Sequence, residues 1–226
     1  MTIDKDTLPT EDIIPITFVG GTGGNFLCHF IVSAKSNIQD NIQLSRYGNA
    51  HDNGLKDCFS PPYGLRFADG YKIDFILSAE PHEGSKKPYY TASHIVKMDL
   101  INNNFKRSIR IVYDLDDDDI NEISIVFFAK YFIDSYNPSN PISMKPQNLS
   151  KVKKGITLWQ PYFSKLENMP NILFISWKEL YKGNIEELIT KLSIFTEIDP
   201  NNFSRESLMH WRNKTQYCID KFTKIL

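Results

Sequence analysis

The stretch Pro15 to Ala34, PITFVGGTGGNFLCHFIVSA, decides how this chain is read. An apolar run leads into a cluster of glycines, and Phe26, Leu27, Phe30 and Ile31 then recur at helical spacing. The pattern predicts a strand, a tight loop and a helix that continues to about Ala34. Gly20, Gly21, Gly23 and Gly24 permit positive φ and let the backbone come close to a ligand. The helix N-terminus aims unpaired N–H groups and the positive end of its dipole at the same place, so an anion is the natural occupant. A Walker A loop reads GxxxxGK[ST], whereas Gly24 is followed here by Asn25 and Phe26 with no lysine, which argues against an ordinary NTPase. A glycine-rich βα turn that holds no ligand is the alternative.

Around this stretch, 226 residues with 41% hydrophobic and 23% charged suit one α/β core, so a single domain spanning 1–226 is expected. Residues 1–11 are polar and lack periodicity, the pattern of a flexible arm. A net charge of −1 provides no general attraction to nucleic acid or to an anionic membrane. Cys28, Cys58 and Cys218 are widely spaced and form no CxxC pair, which points to a reducing cytoplasm and away from a disulfide framework or a zinc site. No apolar run approaches the roughly twenty residues of a membrane span, so the chain reads as soluble.

Further along, Ser36 to Gly70 reads as a long irregular insertion whose anion contacts would be Arg46, His51 and Arg66. YKIDFILSA (71–79) reads as one buried strand, KKPYYTASHIVKMDL as a short extended element ending near His94, and RSIRIVY as a strong strand. Asp116 to Asp119 open a helix with apolar positions at Ile120, Ile123, Val126 and Phe127. These acids exceed what capping needs. An EF-hand is excluded, because the sixth and twelfth positions counted from Asp114 are Asp119 and Ile125 where glycine and glutamate are required. A magnesium site and a solvated acidic corner both remain open. Tyr136 to Gly155 reads as a second loop, the most basic region through Lys145, Lys151, Lys153 and Lys154. There follow a helix interrupted at Pro161, a short strand in PNILFISW, a helical pair, and a last helix capped by Ser204 with Leu208, Trp211, Tyr217 and Phe222 on its apolar pattern. The sum is a parallel α/β sheet with the glycine loop at a strand's carboxyl end. Residues 13–19, 72–78, 108–113 and 171–175 are expected to be neighbouring, mostly parallel strands.

Taken in order over most of the chain, these segments resemble the sulfotransferase family of P-loop-like proteins. That family moves a sulfuryl group from 3′-phosphoadenosine 5′-phosphosulfate (PAPS) to an acceptor. ITFVGGTGGNFL stands where the family has a loop of the type PKSGTT or GRSGST, with Thr22 and Asn25 at the basic and first hydroxyl positions. TASHIV looks like the family's TH element, which gives His94 the role of general base. YDLDDDDINEIS takes the place of RDPRDxxxS, with Tyr113 where the family's arginine holds the 3′-phosphate and Ser124 at its partner serine. The run from Gly155 to Ile198 is similar to the family's tryptophan-containing helix, its strand ending in YEDL and its helix ending in FLG. Arg212 and Lys214 are the residues nearest in kind to the C-terminal RKG loop.

The resemblance implies a three-layer parallel sheet flanked by helices, with PAPS held by Gly20, Gly21, Thr22, Gly23, Gly24, Asn25, Phe26 and Ser124. It also implies catalysis by His94, facing the loop across a cleft, on a small-molecule or glycan hydroxyl. No metal ligand and no nucleic-acid partner are assigned. Because the loop lacks a lysine, the stabilising cation would come from Lys97, Arg107, Arg110 or the Lys145 to Lys154 region. The competing reading is a non-catalytic binding or structural subunit, for example of a viral particle, with protein subunits as partners and the virion as its location. The lost loop cation, the acidic replacement of the arginine segment and two long loops motivate it.

Overall fold

The computed structural model describes residues 13–37, 42, 44, 50, 59–60, 64–66, 72–74, 77–79, 88–93, 105–113, 117–129, 146–163, 169 and 171–223. Strand β1 (Ile13–Thr17) lies inside the sheet and is buried along its whole length. It runs parallel to β6 (Tyr89–Ser93), in register from Ile13 opposite Tyr89 to Thr17 opposite Ser93. On its other side it runs parallel to β7 (Ser108–Val112), which in turn runs parallel to β8 (Ile172–Ser176). Successive side chains of a strand point to opposite faces, so the unbroken burial of β1 and of β7 means that both faces of the sheet are covered there.

The parallel relation of 13–17, 108–112 and 172–176 agrees with the sequence reading. The stretch 72–78 does not. It is divided between β4 (Lys72–Asp74), paired antiparallel with β3 (Gly64–Arg66) in a separate two-stranded sheet, and β5 (Leu77–Ala79), antiparallel to β6. The connection from β5 to β6 is short, and a parallel neighbour would need a crossover of about a dozen residues or more. The position beside β1 therefore falls to β6. Strand β2 (Phe59–Ser60) extends the sheet beyond β5, giving the order β2-β5-β6-β1-β7-β8. The insertion from Ser36 to Gly70 is thus no plain loop: it supplies β2 and β3, and it buries Ile42 and Ala50 in the core.

Helix α1 (Gly24–Lys35) follows β1 and packs on β1 and β6. Helix α2 (Asp117–Phe128) buries Ile120, Ile123 and Val126, as its spacing predicts. Helix α3 (Pro146–Trp159) replaces the second half of the expected basic loop. Proline at the first helical position is already at the right φ, and Leu149, Val152 and Ile156 recur at three- and four-residue intervals toward the core. A 3₁₀ turn at Gln160–Tyr162 marks the expected break at Pro161. Helices α4 (Trp177–Lys182), α5 (Ile185–Thr196) and α6 (Arg205–Thr223) complete the fold. Ser204 Oγ accepts the N–H of Ser207 at the start of α6, and Leu208, Trp211 and Phe222 are buried, whereas Tyr217 is exposed. Residues 1–11 lie outside the described residues. No helix among the described residues is long and apolar enough to cross a membrane.

Candidate functional site

Parallel strands deliver β1, β6, β7 and β8 with their carboxyl ends at one edge of the sheet, and the glycine loop leaves β1 at that edge. Thr22 closes the turn: its N–H and its Oγ1 both donate to the carbonyl of Val19, at 3.1 and 2.7 Å. Gly21 (φ 92°) and Gly23 (φ 84°) take the left-handed conformation, which needs glycine. Gly23 is the N-cap of α1, so no side chain caps this helix, and its first turn carries no acid.

Aromatic rings occupy the space at three of these glycines. A Cβ at Gly20 would stand 2.0 Å from the ring of Phe127, at Gly23 2.4 Å from that of Trp211, and at Gly24 2.1 Å from that of Phe18. At Gly21 it would meet the carbonyl oxygen of Ile123 at 2.7 Å. Trp211 is fully buried, stacked on Phe26 at 4.8 Å and edge-on to Trp177. The missing side chains let α2 and α6 approach the loop; they do not leave an open cradle at those carbons.

The other residues assigned through the resemblance are committed elsewhere. Ser124 is buried, and its Oγ donates to the carbonyl of Ile120 one turn back in α2. Tyr113 is buried too: its hydroxyl donates to the carbonyl of Ile156 at 2.7 Å, its ring stacks on Phe163, and burial pushes its phenol well above the usual range. In the acidic segment Asp118 is exposed and Asp119 is buried, 3.5 Å from Lys178. His94, Lys97, Lys145 and residues 114–116 lie outside the described residues.

Among the candidate cations, Arg107 stands at the amino end of β7, the edge opposite the loop, and donates to the Phe195 carbonyl and to Glu197. Arg110 is buried in β7, donates to Thr17 Oγ1 at 3.1 Å and to the Tyr162 carbonyl, and lies 4.3 Å from the Phe163 ring centre. Burial pulls it down to about 10, so it remains charged at neutral pH. Arg212 donates to the carbonyls of Glu179, Leu180 and Gly183, closing the carboxyl end of α4. These three bonds make it a clamp on that helix. Among the described residues, Lys151 shares a cavity with the loop: with Phe127, Ile156 and Trp159 it borders a space of about 230 Å³ against Val19 and Gly20.

A larger depression of about 390 Å³ lies at Arg107 and Lys191, cations already paired with Glu197 and Glu179. Cys28 and Cys218 are buried and are not joined in a disulfide. No group of three or more histidine, cysteine or acidic residues gathers as a metal site among the described residues. The chain matches no known family and no curated protein.

The sequence reading missed the rings that seat on the loop and the face of α3 that turns toward it. The helical spacing of Leu149, Val152 and Ile156 behind Pro146 was the available signal for the second.

Proposed function

We propose that this chain is a sulfotransferase-like protein of three-layer, P-loop-like architecture that works as a non-catalytic binding or structural subunit, with other protein subunits as partners. One observation carries the reading: the glycines expected to cradle a phosphosulfate are packed against Phe127, Trp211 and Phe18. Thr22, Tyr113 and Ser124, which the resemblance would turn toward the nucleotide, spend their polar groups on the protein's own carbonyls. The described residues therefore fit PAPS poorly. Titration calorimetry with PAPS and with its bisphosphate product tests the reading. No saturable heat is expected with either compound, and binding of either at micromolar concentration would overturn it.

Sulfuryl transfer to a hydroxyl is the second reading, and two features favour it. The start of α1 has no side-chain cap. Ser93, the residue before His94, is in register with Thr17 at the loop's edge of the sheet. Turnover of labelled PAPS that disappears in His94→Ala would establish it in place of the first.

A further inference from the structure

We propose that the cavity between the glycine loop and α3 is a binding site for a small organic carboxylate with a flat apolar body of one ring or two fused rings. The body would lie against Phe127, Ile156 and Trp159, and the carboxylate would meet Lys151. This inference does not depend on whether the glycine loop holds a nucleotide.

Size is the first argument. An engineered apolar cavity of about 150 Å³ holds benzene. The space here, about 230 Å³, suits a fused ring pair and falls below the roughly 300 Å³ at which sites for larger ligands begin. Wall chemistry is the second. Val19, Val152 and Ile156 are buried carbon surfaces, and Trp159, 42% exposed, stands at the mouth.

Gly155 is the third and most specific argument. It shares the face of α3 that carries Val152, Ile156 and Trp159, spaced at three, four and seven residues from Val152, and it lines the cavity with them. Glycine inside a helix weakens that helix relative to alanine, and a packing reason normally accounts for it. At the loop glycines such a reason is visible. At Gly155 a Cβ would meet nothing within 4 Å. The missing side chain leaves space that no described residue fills.

Lys151 fixes the sign of the ligand. It lies one turn before Gly155, is exposed, and is the one charged residue that the cavity's described lining contains. It makes no ion pair with a described residue, and no carboxylate stands among that lining to compete for it. An anionic head at the rim with an apolar body inside satisfies both parts of the site, and a neutral ligand satisfies only one.

The test is calorimetric titration of the full chain with 2-naphthoate and with its neutral isostere 2-naphthamide. Expected is a dissociation constant below about 1 mM for naphthoate, the range for a ligand of this size, and about tenfold weaker binding of the amide. Lys151→Gln should bring the two within about twofold by weakening naphthoate alone. Gly155→Leu should abolish binding of both, while its unfolding midpoint stays at or above that of the unchanged protein because leucine is the better helix former. Absence of naphthoate binding at several millimolar, equal affinity for acid and amide, or undiminished binding by the Gly155→Leu variant would each overturn the proposal.

Discussion

Two junctions in this molecule make the same turn, from a buried parallel strand into a helix, by opposite means. Between β8 and α4 the chain uses side chains: Ser176 Oγ accepts the N–H of Glu179, and the Glu179 carboxylate accepts the N–H of Ser176, a reciprocal capping box. Arg212 then holds the other end of the same helix through three carbonyls. Between β1 and α1 no side chain caps the helix, and the loop is held by Thr22 on the Val19 carbonyl and by rings lying where glycines lack a Cβ. A polar junction is local and depends on a few bonds. A packed junction depends on residues far along the chain, so it ties α2 and α6 to the centre of the sheet.

The sharpest way to break this contrast is at Gly23. Alanine there must adopt a φ of 84° and place its Cβ 2.4 Å from the buried Trp211 ring. The left-handed conformation costs about 1–2 kcal/mol and overpacking about 1–3 kcal/mol more, so Gly23→Ala should lose about 3 kcal/mol in urea unfolding. A loss under about 1 kcal/mol would mean that the loop is not sealed by this ring.

The polar junction responds less. Arg212→Ala leaves the last carbonyls of α4 without their charged donor and should cost about 2 kcal/mol. Arg212→Lys should recover little of it, because one ammonium cannot reproduce a fork spread over three acceptors. Restoration by lysine to near the original midpoint would show that charge alone, and not the fork, matters.

Ser176→Ala should cost about 1 kcal/mol by removing the cap. Glu179 adds a pH signature. Burial pushes its carboxyl up, but hydrogen bonds from Lys191 and from the Ser176 N–H and hydroxyl outweigh burial, and the net effect is a fall below the ordinary value of 4.5. A carboxylate depressed in the folded state stabilises above its unfolded value and loses that contribution as pH falls through the folded one. Stability should therefore fade as pH drops below about 4.5, and less steeply in Glu179→Gln. An acid-side slope unchanged by that variant would remove Glu179 from the account.

What could be read from sequence follows the same division. The capping and periodic signals are local, so α1, β7, β8, the pair α4 and α5, and the Ser204 cap of α6 were legible as elements, with ends displaced by a residue or so, as where Trp177 read as the end of β8 and opens α4 instead. The neighbour of β1 was not: YKIDFILSA is the more apolar stretch, yet YYTAS sits beside β1, because pairing depends on the length and direction of the connections. Proline, asparagine and serine around residue 146 concealed α3, although its apolar spacing was present. At the glycine loop, sequence shows only that side chains are missing. A phosphate and an aromatic ring both exploit that absence, and Phe127 and Trp211 arrive from too far along the chain for any local pattern to distinguish them.

Gly155 gives the smallest expected effect and the one of opposite sign, which makes it the control for all the glycine arguments. It sits inside α3 with open space where a Cβ would go, so alanine brings no clash and removes the cost of glycine in a helix. Gly155→Ala should raise stability by about 1 kcal/mol, and the midpoint should move up without a change in the slope of unfolding against urea. The same substitution at Gly20, where the Cβ would stand 2.0 Å from the Phe127 ring, should lower stability by about 1–3 kcal/mol. The two glycines line one cavity and carry the same change of a single methyl group, but Gly155 is helical and Gly20 stands in the loop, so helix propensity sets the gain at Gly155 and the Phe127 ring sets the loss at Gly20. A loss under about 1 kcal/mol at Gly20 would mean that Phe127 yields to the added methyl, and that the packed junction is looser than its seated rings imply.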